Sequence, residues 1–153
     1  MSNTTHTNAR VATMIGKLVE AYDTRTRDEH GKIVPGSGDP RACDCCGKEH
    51  VVHYWIQAGY KLVCVGRECA KRLTGNIPAS KDIGPQTFSL MFGGVNGRFV
   101  RYGIATQEKM AALESEYRSA CERQGKECKP FFWWTELELS SCRKEGFGVY
   151  CTN

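Results

Sequence analysis

The chain has 153 residues, of which 41% are hydrophobic and 10% aromatic, and its formal net charge is +4. This composition supplies a packed interior for one domain and excludes a wholly disordered chain. The charges are interspersed, so they permit a nucleic-acid partner without demanding one. No stretch reaches the roughly 18 apolar residues of a membrane span, and residues 1–6 lack the apolar segment of a signal peptide. We therefore expect a single cytoplasmic domain without a membrane partner.

The first predicted element is a helix within residues 1–22. From Asn8 to Tyr22 apolar residues recur three and four positions apart, which is the spacing of a helix with one buried stripe. Residues 23–41 follow, and their content of charge, Gly and Pro predicts an exposed linker.

Residues 42–75 contain a cysteine pattern that indicates a metal site. The chain has nine cysteines, and without an export signal clustered thiols bind metal more often than they form disulfides. Cys43 and Cys46 have the two-residue gap that aims two thiolates at one ion, and Gly47 lets the backbone turn beneath it. Cys69 is predicted in the first turn of a helix, whose N-terminus stabilises a thiolate. The pattern predicts Zn²⁺ as the cofactor, with these three cysteines as ligands.

A predicted hairpin between the two halves of this pattern offers a fourth ligand. Its strands cover residues 50–57 and 60–65, with a turn at Ala58 and Gly59. Cys64 is preferred because a thiolate suits three other thiolates. Paired residue numbers are expected to sum to about 117, which places His53 opposite Cys64 and makes His53 the alternative ligand, ahead of His50 and Cys45. Four protein ligands leave no position for an activated water, so the site is predicted to be structural.

The order of turn, hairpin and helix resembles the treble-clef zinc-finger modules of small bacterial and bacteriophage proteins. The resemblance covers residues 41–73 and rests on the CxxCG motif at Cys43 and on the stretch from Val65 to Leu73. It implies a treble-clef fold for this segment within a chain of the α+β class. In such modules the helix supplies a CxxC pair, whereas four residues separate Cys64 from Cys69 here.

Residues 76–153 are predicted to add a second hairpin and a further helix. The hairpin pairs Phe88–Val95 with Arg98–Ile104 through Asn96-Gly97, a dipeptide typical of type I′ turns. The helix begins at Thr106 and ends near Gly125, and an ion pair is expected between Glu114 and Arg118.

The C-terminal segment holds four consecutive aromatic residues, Phe131 to Trp134. The alternation of Leu137 and Leu139 favours a strand there, with a short helix as the close alternative. No pair among the remaining cysteines has the two-residue gap, so core thiols are expected rather than a second zinc site: Cys121, Cys128, Cys142 and Cys151.

The predicted function is that of a zinc-binding protein that binds nucleic acid through a basic helix face. The helix after Cys69 carries basic side chains that suit phosphates, and the second hairpin interleaves arginines with aromatic residues. The candidate nucleic-acid-binding residues are Lys61, Arg67, Lys71, Arg72, Arg98 and Arg101.

Two other classes of function were weighed. In the first, zinc supports a protein-interaction module whose anchor is Phe131 to Trp134, such as a phage-type adaptor or inhibitor of a host protein. In the second, the chain is a nuclease of the HNH type. That class needs a His or Asn ligand on the helix after Cys69, and the helix offers none. We therefore expect neither an enzyme nor a small-molecule substrate.

Overall fold

The computed structural model describes residues 16–95, 98–144 and 148–151. The chain has the predicted mixed α+β composition. It divides into two compact units, one up to Pro85 and one from Gln86, where the sequence predicts one domain. Within the described residues no helix has the length and apolar content that crossing a membrane requires.

The first unit is built on a three-stranded antiparallel sheet. Its strands are β1 (Lys17–Asp23), β4 (Val52–Ala58) and β5 (Lys61–Val65), in the order β1-β4-β5. A short ribbon of β2 (Arg41–Ala42) and β3 (Glu49–His50) precedes β4, and helix α1 (Arg67–Thr74) follows β5. The hairpin predicted around Ala58 and Gly59 is confirmed. Buried residues of the sheet, the helix and the adjoining loops form the core: Cys43, Tyr54, Ile56, Val65, Cys69, Ala70, Leu73 and Ile83.

Strand β1 occupies residues that the sequence assigns to the end of an N-terminal helix. That prediction is wrong for residues 17–22, and residues 1–15 lie outside the described part of the chain. The register of β1 against β4 shifts between Leu18 and Glu20, which marks a β-bulge. Because of the extra residue, Leu18 and Ala21 both pack against the core although they are three apart. The bulge therefore gives the apolar residues of this strand the three-residue spacing that is typical of a helix.

The segment from Asp23 to Arg41 is mostly exposed and is ordered by hydrogen bonds. Thr24 Oγ1 donates to the carbonyl of Val51 over 2.6 Å and accepts from the Asp39 amide over 2.8 Å. At the start of the segment, the buried Asp23 carboxylate accepts from the Arg25 guanidinium over 2.8 Å. The predicted linker is therefore anchored to the first residues of the hairpin.

The second unit is built on a four-stranded sheet in the order β8-β6-β7-β9. The strands are β6 (Thr87–Val95), β7 (Arg98–Thr106), β8 (Phe131–Trp134) and β9 (Gly148–Cys151), and only the β7–β9 pair is parallel. Strands β6 and β7 confirm the predicted second hairpin, whose turn at residues 96–97 lies outside the described residues.

Helix α2 (Met110–Arg123) confirms the predicted helix of the second unit, although a 3₁₀ turn at Gln107–Lys109 precedes it. Gly125, with a φ of 62°, follows its end. The expected Glu114–Arg118 pair is replaced by contacts with strand β8. Glu114 Oε1 accepts from Trp133 Nε1 over 2.6 Å, and the Arg118 guanidinium lies 4.9 Å from the centre of the Phe131 ring.

Helix α3 (Glu136–Lys144) contains Leu137 and Leu139, so the favoured strand is wrong and the alternative, a short helix, is present. A capping box begins the helix. The Thr135 amide donates to Glu138 Oε2 over 2.7 Å, and the Glu138 amide donates to Thr135 Oγ1 over 3.3 Å. Leu139 is fully buried, as are Leu90 and Met91 of β6.

Candidate metal centre

A tight turn between β2 and β3 presents the first two cysteines. The Cys43 amide donates to the Lys48 carbonyl over 2.8 Å, and the Gly47 amide donates to the Cys43 carbonyl over 2.9 Å. Gly47 has a φ of 76°, a conformation that glycine adopts without steric cost. The turn therefore places Cys43 and Cys46 on one side of a closed backbone loop.

Asp44 ties this turn to the end of strand β5. Its amide donates to the Cys64 carbonyl over 3.0 Å, and its Oδ2 atom accepts from the Cys64 amide over 2.7 Å. Because α1 begins three residues after Cys64, this pairing brings the turn close to the first turn of the helix.

The structure brings together the three cysteines that the sequence selects. The Sγ atoms of Cys43, Cys46 and Cys69 all lie within 4.8 Å of one another. In a tetrahedral zinc site with Zn–S bonds of about 2.3 Å, neighbouring sulfurs are about 3.8 Å apart. The three thiols, which we call the cysteine trio, are therefore close enough to bind one ion.

The surroundings of the trio stabilise negative charge at Cys43. Burial alone would raise the pKa of its thiol, but backbone N–H groups of Cys46, Gly66 and Cys45 donate to the sulfur and lower the pKa overall. Burial and the contacts with Cys43 and Cys46 raise the pKa of Cys69 to about 12. A divalent cation bound by the three sulfurs would favour the deprotonated form of each thiol.

One basic side chain reaches the trio from the helix. Arg72 Nη2 donates to Cys69 Sγ over 3.2 Å. A guanidinium beside a sulfur stabilises the thiolate form and orients the ligand.

The expected fourth ligands lie in a neighbouring group. One ligand atom from each of His50, His53 and Cys64 lies within 4.8 Å of the other two. Cys64, the preferred fourth ligand, and His53, the alternative, are thus grouped with His50 and not with the trio. Cys45, the last alternative, is half-buried in the turn, and burial raises the pKa of its thiol.

The observed register explains how Cys64 and His53 are related. Cys64 pairs with Trp55, so the paired residue numbers sum to 119 and the expected register is shifted by two. His53 therefore shares a sheet face with Cys64 but lies diagonal to it. Burial, followed by the charge of His50, lowers the pKa of His53, and burial raises the pKa of Cys64 to about 11.

Among the six residues predicted to bind nucleic acid, Arg67, Arg72 and Arg101 contact other groups of the protein. Arg67 Nη1 donates to Tyr54 Oη over 3.0 Å and to the Pro78 carbonyl over 3.1 Å. Arg72 contacts Cys69, and Arg101 lies 3.7 Å from the Glu136 carboxylate. Four of the six are exposed: Lys61, Lys71, Arg72 and Arg98.

Sequence reasoning overlooked Tyr60 at the tip of the first hairpin. Its side chain is fully exposed beside Lys61, and Leu62 is also exposed. The sequence does indicate the exposure of Tyr60, because it follows the turn glycine Gly59 and a residue at a hairpin tip has few neighbours to cover it.

The aromatic segment Phe131 to Trp134 forms the edge strand β8, in which all four side chains are half-buried. Phe132 and Trp134 pack edge-on or tilted against each other and against Phe99 of β7. Much of the segment therefore contributes to the second unit's own packing.

The remaining cysteines do not gather into a metal-binding group within the described residues. Cys121 and Cys128 make a side-chain contact with each other, and Cys142 is buried in α3.

Comparison of the chain with known protein families, with curated proteins and with solved structures finds no match.

Proposed function

We propose that this chain is a zinc-binding protein in which Cys43, Cys46 and Cys69 hold a structural zinc ion within a treble-clef module. The observation that carries the proposal is the convergence of three sulfurs from two distant parts of the chain within 4.8 Å. The order of turn, hairpin and helix supports the treble-clef assignment.

The chemistry of the trio supports zinc in particular. Three soft thiolates favour Zn²⁺ over Mg²⁺ or Ca²⁺, which prefer oxygen ligands. Backbone N–H donors to Cys43 and the guanidinium of Arg72 at Cys69 are the outer contacts that thiolate ligands receive. Cys64 belongs to the neighbouring group. The proposal therefore requires only Cys43, Cys46 and Cys69 as zinc ligands.

A structural role follows from where the trio sits. Cys43 and Cys69 belong to the core of the first unit, together with Tyr54 and Leu73. An ion held there joins the turn to helix α1 across more than twenty residues of chain. Its binding free energy then contributes directly to folding.

The test is metal analysis of the purified protein, followed by chelation. We expect bound zinc, and we expect chelation to unfold the first unit. Cys46→Ser should abolish zinc binding at the trio, whereas Cys45→Ser, in the same turn but outside the trio, should retain it. A metal-free protein that keeps its full far-ultraviolet circular dichroism would refute the structural role.

We further propose nucleic acid as the partner, with the tip of the first hairpin as a contact surface. Tyr60 supplies a fully exposed aromatic face, and Lys61 beside it supplies a charge for phosphate. Aromatic faces stack on bases and lysines neutralise phosphates, which is the combination that single strands bind.

Binding to single- and double-stranded DNA and RNA across a salt series tests this partner. Tyr60→Ala should weaken binding to single strands, and Lys61→Gln should reduce the slope of log K against log salt by about 0.7 to 0.9. Lys81→Gln, another exposed lysine in the same unit, is the control. Absence of binding at low salt would exclude nucleic acid and favour the protein-interaction module.

A further inference from the structure

A second group of metal-binding side chains lies outside the cysteine trio. His50, His53 and Cys64 each offer one ligand atom, and these atoms lie within 4.8 Å of one another. His53 is 3% exposed and Cys64 is fully buried. Imidazole nitrogen and thiolate sulfur are the ligands that zinc and similar divalent cations of intermediate softness prefer.

The sheet determines this grouping. Trp55 pairs with Cys64, and His53 is two residues before Trp55, so His53 and Cys64 point to the same face. Tyr54 and Ile56 alternate with them and face the core beneath helix α1. His50, at the end of β3, lies beside Gly66. A Cβ atom added at Gly66 would lie 3.7 Å from the Cδ2 atom of His50.

The two imidazole rings are held in a specific orientation. His50 Nδ1 lies 2.9 Å from the Val52 carbonyl oxygen and 3.1 Å from His53 Nδ1. The ring centres are 5.0 Å apart at an angle of 75°. These contacts of Nδ1 fix the orientation of the His50 ring relative to His53 and leave its Nε2 atom for another partner.

The hydrogen bonding of His50 is incomplete in a way that points to a ligand. A carbonyl oxygen only accepts, so the contact with Val52 requires the proton of neutral His50 on Nδ1 and leaves the lone pair on Nε2. That Nε2 atom is buried and has no hydrogen-bond partner among the described residues. Buried polar atoms are nearly always paired, and a histidine that binds a metal through one nitrogen usually donates the other N–H to a carbonyl.

We propose that His50, His53 and Cys64 form a second metal site, separate from the cysteine trio, that takes Zn²⁺ or a divalent cation of similar softness. Three protein ligands leave one coordination position for water or another ligand. The site differs from the trio in its ligand atoms, because it offers two imidazoles and one thiol where the trio offers three thiols. It stands on different residues from the trio and does not depend on the zinc proposed there.

The competing arrangement is a single site in which Cys64 or a histidine completes the trio. The two arrangements differ in stoichiometry and in the number of nitrogen ligands. Zinc titration of the full-length, reduced, metal-free protein should give two bound ions per chain. The X-ray absorption spectrum of the loaded protein should show both sulfur at about 2.3 Å and nitrogen at about 2.0 to 2.1 Å.

Variants assign each ion to its site. His53→Gln should lower the stoichiometry from two to one and remove most of the nitrogen signal. The control is His30→Gln, because His30 is exposed and its ion pair in the described residues is with Glu29. This variant should keep two ions. Cys46→Ser should also keep one ion, now with mixed nitrogen and sulfur ligands.

Each outcome decides between the proposals. A His53→Gln variant that binds as many ions as the wild type overturns the second site, whether the wild type binds two ions or a single ion. If that single ion is lost in Cys46→Ser, the trio stands and the second site fails. If Cys46→Ser binds as many ions as the wild type, the zinc site proposed at the trio is refuted instead. Should Cys46→Ser be insoluble, the stoichiometry and spectrum of the wild type and His53→Gln still give the answer.

Discussion

The guanidinium of Arg72 donates a hydrogen bond to the sulfur of Cys69, with Nη2 and Sγ 3.2 Å apart. The two residues lie three apart in helix α1, so one turn of helix aligns the donor with the thiol. Arg72 thereby contacts the cysteine trio, whereas the sequence predicts a contact with phosphate.

We expect Arg72→Ala to lower zinc affinity at the trio by about 10- to 100-fold, because the thiolate loses a charged donor that orients it. Competition with a chromophoric chelator measures this affinity. Lys71→Ala is the matched control, since Lys71 is the exposed neighbour in the same helix. Equal affinities for the two variants would show that the hydrogen bond has no influence on the metal.

Zinc binding should release protons and tighten as the pH rises. Cys69 has a pKa raised to about 12 in the metal-free protein, so it is a neutral thiol at pH 7 and must lose its proton to bind zinc. Each thiol that loses a proton makes the apparent affinity rise about tenfold per pH unit, so at least that slope is expected between pH 6 and 8. Chelator competition at several pH values checks the slope, and a flat profile would contradict thiolate ligation at Cys69.

Thr135→Ala should destabilise the second unit by about 1 kcal/mol, because it removes the side-chain acceptor of the capping box at helix α3. Urea unfolding followed by tryptophan fluorescence measures the loss. Thr106→Ala is the control. Thr106 precedes the 3₁₀ turn before α2, and its side chain makes no capping hydrogen bond there. Similar losses in the two variants would mean that the cap contributes nothing specific.

Gly16→Ala should destabilise the first unit by about 1 to 3 kcal/mol. Gly16 is buried, and an added Cβ atom would overlap Cγ2 of Ile56 in the core. Gly84→Ala should change the free energy of unfolding by less than about 0.5 kcal/mol, because among the described residues no atom beyond the two chain neighbours lies within 4 Å of the added methyl group. Denaturant unfolding of the zinc-loaded protein compares them, and equal stabilities would show that the core yields at Ile56.

The cysteine trio was predictable because local chemistry determines it. A two-residue gap with a following glycine fixes the turn at Cys43 and Cys46, and the helix that carries Cys69 has its own sequence signals. The position of Cys64 depends instead on the register of the hairpin. A shift of two residues keeps every side chain on its face but changes which partner each one meets.

The errors in secondary structure have local causes as well. Strand β1 has helical apolar spacing because a bulge between Leu18 and Glu20 adds a residue. Helix α3 was taken for a strand because Leu137 and Leu139 alternate. Thr135 and Glu138 form a capping box that is legible in the sequence and would have corrected the error.

The tryptophan side chains have different surroundings, since Trp133 donates a hydrogen bond to Glu114 and Trp55 lies opposite Cys64. Their fluorescence can therefore report on separate parts of the molecule. The three tryptophans are divided between the units, with Trp55 in the first and Trp133 and Trp134 in the second. A Trp55→Phe protein would emit only from the second unit, and a protein with phenylalanine at positions 133 and 134 only from the first. Because Trp55 pairs with Cys64 in the sheet, a paramagnetic ion such as Co²⁺ bound at the proposed second metal site should quench its emission. The same two proteins can therefore report metal binding and the unfolding of each unit without an added dye.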